Sequence, residues 1–421
     1  MNIAFAIGNR VDTVKVPEQN LLGVLTHNEV TLGLTGEEEV RRALKSPIGS
    51  PRLKDIVKPG EKIAIITSDI TRPMPTHTVM PALLEELEKA GVDLKDITLV
   101  FGLGIHRAHT KEEQRKLVGD YAFDKIRCVD SSQEDVIHMG YTKAGTPIDI
   151  DRHVAQADRR ICLGNIEYHY FAGYSGGGKA IMPGVSTKEA IERNHQMMVQ
   201  PDACAGRLSG NPIREDIEEG AAVCGVDFIL NVVLDEHKRI VKAVAGDSVL
   251  AHREGCRFLD AFYLKEIDQR ADIVIVSQGG APKDLNLYQT QKALDNAKHA
   301  VKPGGIIIVA GSCAEGLGDD TFARWVKEAK TPQDLIDRVT RQFELGGHKA
   351  AAIALVLQNA DIYLVSDMDD VLVRSCFLTP FATVQQALDH AFLKLGQSAT
   401  VLAMPYGGST LPRVKGEAPA Q

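Results

Sequence analysis

Continuous apolar, β-branched runs alternate with helical patterns along this 421-residue chain, and that alternation limits its fold more than any other feature. The runs at 62–67 (KIAIIT), 97–101 (ITLVF), 273–277 (IVIVS) and 305–310 (GIIIVA) are apolar throughout or nearly so. Further strands are predicted for IAFAI near the start and at 125–129, 160–164, 228–233, 362–365 and 400–404. Helices are predicted between them at 79–89, 187–198, 213–224, 248–264, 288–300, 332–341, 348–357 and 384–395. A strand that is apolar on both faces must be covered on both faces, which calls for parallel sheets with helices on either side. The expected class is α/β, doubly wound: two domains, each with a mostly parallel sheet flanked by helices, and an active site in the cleft between them. The segment EIDQRADIVIV restarts the strand–helix pattern. The expected division is therefore 1–270 for the first domain and 271–398 for a smaller second one; the last strand, in 399–421, could return to the first domain.

The formal net charge of −8 argues against nucleic acid as the main partner, because a phosphate backbone needs clustered Lys and Arg. No apolar run is long enough to span a bilayer, and the N-terminus lacks the pattern of a secretory signal. The seven cysteines are dispersed with no CxxC pair, as expected of reduced thiols in a cytoplasmic protein.

In open α/β sheets ligands sit beyond the carboxyl ends of strands. Four polar loops follow predicted strands in this way: SDITRPMP, GLGIHRAHT, GNIEYHYFAGYSGGGK and QGGAPKDLNLYQTQK. The stretch 164–195 is the densest in chemistry, placing His169, a glycine-rich loop, Lys179 and His195 within one supersecondary unit. GYSGGGKA nearly matches the phosphate-binding P-loop, but Ala180 stands where a hydroxyl should ligate magnesium. EYHYFA separates it from its strand, and Pro183–Gly184 interrupts any helix directly after it. The bland reading is a glycine-rich turn with a surface lysine. His195 lies on a predicted helix with no Cys or carboxylate at zinc spacing, so a metal there would take its other ligands from a cofactor. His106 and His109 are both candidate acid/base groups, and either could instead cap the helix that Thr110 and Glu113 begin as a capping box. Asp69 and Arg72 could form a structural pair or receive an anion. Gln289 and Lys292 share the start of a helix, where an anion such as a carboxylate is favoured.

Together and in this order, SDITRP, GLGIHR, EYHYFAGYSGGGKA, RNH and YQTQKALDNA resemble the nickel-dependent lactate racemase family of 2-hydroxyacid racemases and epimerases, over about residues 5–410. The resemblance implies an isomerase. It also implies a nickel-pincer cofactor, pyridinium-3-thioamide-5-thiocarboxylic acid mononucleotide, bound in the first domain and installed by maturation proteins. By motif, Lys179 is the lysine that forms the thioamide and His195 the nickel ligand. His106 and His169 are the paired acid/base residues; Asp69, Ile70, Thr71 and Arg72 contact the cofactor; Gln289 and Lys292 hold the substrate carboxylate. The implied reaction inverts the α-carbon of a small 2-hydroxy acid by proton-coupled hydride transfer through a 2-keto acid. The alternative function is a P-loop-like nucleotide-binding or cofactor-carrying protein without racemase activity. A nicotinamide dehydrogenase is disfavoured, because GLGIHR carries Arg107 where the third glycine of GxGxxG belongs. Trp325 is the only tryptophan, far from His348 in sequence, so no indole wall is expected beside that histidine.

Overall fold

The computed structural model describes residues 1–235 and 237–417. They form two compact units: one is residues 30–261, the other combines 1–29 with the chain from Phe262 onward.

The 30–261 unit is built on a six-stranded sheet. Across it run Ile240–Gly246, Phe228–Leu234, Arg159–Asn165, Ile63–Ser68, Ile97–Gly102 and Arg127–Asp130. All neighbours are parallel except Ile240–Gly246, which is antiparallel to Phe228–Leu234. Ile63, Ala64, Ile65 and Ile66 are all buried, as an all-apolar central strand requires. From Ile63–Ser68 the chain builds outward in one direction, through Ile97–Gly102 and Arg127–Asp130, then returns to build in the other from Arg159–Asn165. The sheet therefore has a topological switch point between Ile63–Ser68 and Arg159–Asn165.

The second unit has its own six-stranded, wholly parallel sheet, in the order Thr379–Phe381, Ala360–Val365, Val301–Ala310, Ala271–Ser277, Val401–Met404 and Leu21–Val24. Helix ends follow local chemistry. Thr110 and Glu113 form the expected capping box on Lys111–Val118, and Asn211 caps Pro212–Cys224 with proline in its first turn.

The division differs from a single cut near residue 270. The first 29 residues belong with the C-terminal half: Leu21–Val24 pairs with Val401–Met404, and Phe5, Ile7 and Val14 pack with Ile273, Ile306 and Val401 in one core. Val401–Met404 stays in that same sheet beside Ala271–Ser277 rather than returning to the 30–261 unit. The restart also comes earlier, because Leu264–Ile267 pairs with Leu411–Val414. Pairing between distant strands decided these boundaries, and no local pattern encodes it. Phe5 is fully buried in this core, so Phe5→Ala is expected to destabilise the unit by about 3–5 kcal/mol, read from denaturant unfolding. A loss under about 1 kcal/mol would place the first strand outside the core. In neither unit, among the described residues, is any helix long and apolar enough to cross a membrane.

Candidate active site

The two strands flanking the switch point of the 30–261 unit lead into the turn that starts at Asp69 and the loop that holds Lys179. The neighbouring strand Ile97–Gly102 leads to His106 and is tied to the same region. Gly104 donates its N–H to the Gly184 carbonyl (2.8 Å). Gln133 donates through Nε2 to the carbonyls of Gly104 (2.6 Å) and Ser186 (2.8 Å), and its Oε1 accepts from Lys188 N (2.6 Å).

Asp69 is buried and His106 partly exposed; His106 Nδ1 lies 2.7 Å from Asp69 Oδ2. Thr71 Oγ1 donates to Asp69 Oδ1 at 2.9 Å. Burial raises the Asp69 pKa, but the hydrogen bonds and charges around it, His106 foremost, outweigh that and hold it below the usual carboxylate value. An ionised Asp69 accepts the Nδ1 proton, so neutral His106 carries its lone pair on Nε2. His109 differs: its side chain is fully buried and both nitrogens are engaged, Nδ1 with Asp130 Oδ1 (2.7 Å) and Nε2 with Ile70 N–H (3.0 Å). Of the two histidines, His106 is the one with an exposed edge.

The glycine-rich loop is moulded around a buried guanidinium. Arg214, fully buried, donates through Nε to the carbonyl of Ala172 (3.1 Å), and through its terminal nitrogens to those of Gly176 (3.4 Å) and Tyr174. Gly173 sits at φ +75, where a Cβ would lie 1.9 Å from the Arg207 carbonyl oxygen, so no other residue fits. Gly177–Ala180 is a single 3₁₀ turn, preceded by the short hairpin Tyr168–His169 and Gly173–Tyr174. A P-loop needs a strand directly before and an α-helix directly after, so the nucleotide-binding alternative lacks its scaffold here. Lys179 is half-buried. Burial, then the charges of Arg214 and Arg72, push its pKa well below the ordinary lysine value, against the opposing pull of Glu167. Two guanidinium groups near one carboxylate suit an anionic ligand.

His169 accepts the Ala172 N–H at Nδ1 (3.2 Å), which puts its proton on Nε2 in the neutral form. Phe171 stands edge-on to both His169 (centroids 4.5 Å apart) and His195 (4.8 Å), so one aromatic ring separates the two imidazoles. His195 ends the helix Lys188–His195 and is buried. Its Nδ1 is 2.9 Å from Asn194 Oδ1. Asn194 Nδ2 donates to Asp216 Oδ2 (2.8 Å) and the Ile213 carbonyl (3.2 Å), which fixes the amide with its oxygen toward His195. Asp216 also accepts from Thr142 and from Thr146 (2.8 Å). This buried chain makes His195 Nδ1 a donor and assigns the lone pair to Nε2. Asn194 stood in a motif already noted; Asp216 and Arg214, on a plain amphipathic helix, gave no local signal.

Gln289 and Lys292 lie in the other unit, on helix Leu287–Ala297. Asn286 caps it by accepting Gln289 N–H (3.0 Å); Gln289 is half-buried and Lys292 exposed. Trp325, distant from His348 in sequence, packs directly on the residue before it: a Cβ on Gly347 would lie 2.2 Å from the indole. Tyr288 and Phe343 stand against His348, so that histidine has aromatic neighbours, while the indole lies against Gly347.

Residues 7–206 match the model of the lactate racemase N-terminal domain and 267–411 that of the lactate racemase C-terminal domain. The chain is 34% identical to a lactate racemase of Thermoanaerobacterium thermosaccharolyticum, over 98% of this chain and 100% of that protein. It is 32% identical to a lactate racemase of Lactiplantibacillus plantarum, over 94% and 96% respectively. The fold superposes on the solved lactate racemase apoprotein from T. thermosaccharolyticum with a TM-score of 0.89 at 33% identity, covering 98% of this chain and 100% of that one. A Thermotoga maritima protein of solved structure shares the fold at 19% identity, with a TM-score of 0.66 over 91% of this chain and 100% of that one.

The depressed Lys179 pKa has a direct consequence. Its amine is unprotonated at a lower pH than an exposed lysine. In trace acylation followed by peptide mass spectrometry, Lys179 should reach its maximal rate at a lower pH than a lysine in a reference peptide. A common midpoint for the two would show that Lys179 is solvated.

Proposed function

The chain belongs to the lactate racemase family and is an isomerase, and from that premise we propose that it racemises lactate or a related 2-hydroxy acid with a nickel-pincer cofactor tethered to Lys179. What carries this reading is an amine held below its usual pKa in the same unit as an imidazole whose Nδ1 proton is locked by a buried network. Those two groups fit the cofactor: Lys179 would hold it through a thioamide link, and His195 would hold the nickel through Nε2. A thioamide needs a neutral nitrogen, and a borderline metal suits imidazole. Arg72, with Asp69, Ile70 and Thr71 of the same turn, contacts the cofactor from the neighbouring strand end. Loading depends on maturation proteins, and seven dispersed cysteines with no CxxC pair agree with a cytoplasmic setting.

When bound, the cofactor supplies an acceptor for the α-hydrogen as hydride, the substrate passing through a 2-keto acid. The chain supplies binding and proton transfer. Gln289 and Lys292 hold the carboxylate while the α-carbon inverts. His106 takes the hydroxyl proton on Nε2, and ionised Asp69 stabilises the resulting imidazolium. His169 serves the opposite enantiomer. The two are unequal in this conformation: His106 is set as a base, whereas His169 has Nε2–H and must release the Ala172 amide before it accepts a proton there.

A panel of single-enantiomer 2-hydroxy acids in heavy water, followed by chiral analysis, tests the reaction. Hydride return predicts racemisation with little deuterium at the α-carbon; extensive incorporation would mean proton abstraction instead. Lys179→Ala should abolish activity and leave cooperative unfolding intact. His106→Ala and His169→Ala should each slow turnover at least ~10²-fold. Asn194→Leu should weaken nickel binding ~10–100-fold in a metal titration, because the partner that fixes the ligand's tautomer is gone.

A further inference from the structure

His109 lies outside the chemistry assigned above, yet both nitrogens of its ring are engaged. An amide N–H can only donate, so the Ile70 contact (3.0 Å) makes Nε2 the acceptor and puts the ring proton on Nδ1, facing Asp130 Oδ1 (2.7 Å). Asp130 is itself immobilised: Oδ2 accepts the His109 N–H (2.7 Å) and Oδ1 accepts from Gln114 Nε2 (3.1 Å). Phe101 packs on the ring at 5.1 Å. Ile70 stands between Asp69 and Thr71, the carboxylate that bonds His106 and the hydroxyl that bonds that carboxylate. A continuous path therefore runs from the end of Arg127–Asp130, through the His109 ring, to the turn after Ile63–Ser68, and ends on His106.

We propose that His109 is a positioning residue: its Nε2 pins the Ile70 amide and so holds Asp69 where it orients His106. The proposal rests on His106 being an acid/base group, but the hydrogen bond it concerns exists without any cofactor. A side chain that merely fills space would be replaced by leucine at no cost to Asp69. A side chain that acts through its acceptor would be rescued by an amide.

The test uses the whole chain, with and without cofactor. In the unloaded protein, the downfield Nδ1–H resonance of His106, assigned by its absence in His106→Ala, reports the bond to Asp69. It should be lost or broadened in His109→Leu and retained in His109→Gln. Exchange of the Ile70 amide should quicken in the leucine variant alone. In the loaded enzyme, His109→Leu should lower kcat at least ~10-fold with little change in KM, and His109→Gln should recover most of it. If His109→Leu does not fold, Asp130→Asn leaves the ring in place, removes the carboxylate that sets its tautomer, and should weaken the same resonance. A His106 resonance and turnover unchanged in these variants would overturn the proposal. Failure of the loaded wild type to racemise, with the resonance behaving as described, would instead count against the racemase reading.

Discussion

The candidate site depends on a charge placed where charges are costly. Arg214 is fully buried, and its partners around the loop are carbonyls of Ala172, Tyr174 and Gly176 rather than a salt-bridged carboxylate. Burying an ion with no carboxylate bonded to it costs several kcal/mol, offset in part by the nearby charge of Glu218 and otherwise by what it organises. It organises the backbone between His169 and Lys179, whose glycines have little conformational preference of their own. The same charge lies near Lys179 and, behind burial itself, helps to lower that amine's pKa. One guanidinium thus shapes the loop and lowers the pKa of the amine it carries.

Around this clamp, hydrogen bonds assign ring tautomers by elimination. Asp69 takes the proton of His106 Nδ1; a backbone amide occupies Nδ1 of His169; Asn194, held by Asp216, takes the proton of His195 Nδ1. Two imidazoles of this unit, His106 and His195, are thereby set with Nε2 as acceptor, and the third, His169, with its proton on Nε2. The sequence records the imidazoles; the assignment lies in the partners.

That distinction explains what was legible beforehand. Strands such as Ile63–Ser68 and Ile97–Gly102 could be read because a run apolar on both faces has few other places to go. The helices Pro332–Arg341 and Val384–Leu395 were readable for their periodicity, and Thr331 and Thr383 cap them in the structure. The loop motifs were readable because they follow strands at the carboxyl edge. His106 and His109 were not separable, because the difference is a contact to Ile70 and another to Asp130, set by tertiary structure. Arg214 and Asp216 were missed for the same reason: on an amphipathic helix, an inward-facing charge looks like an outward-facing one. The membership of residues 1–29 depended on a strand pairing nearly four hundred residues away along the chain, Val401 with Leu21.

That pairing also sets an order for synthesis. Residues 30–261 are continuous, so this unit can close as soon as it has left the ribosome. The other unit cannot: its leading strand emerges first, and its neighbour in the sheet, Val401–Met404, emerges almost last. The apolar face of Asn2–Ile7 is covered by residues such as Ile273, Ile306 and Val401, all translated after the continuous unit is complete. Its hairpin with Arg10–Lys15 can form at once, but the core that buries it closes only when the second half of the chain has been made.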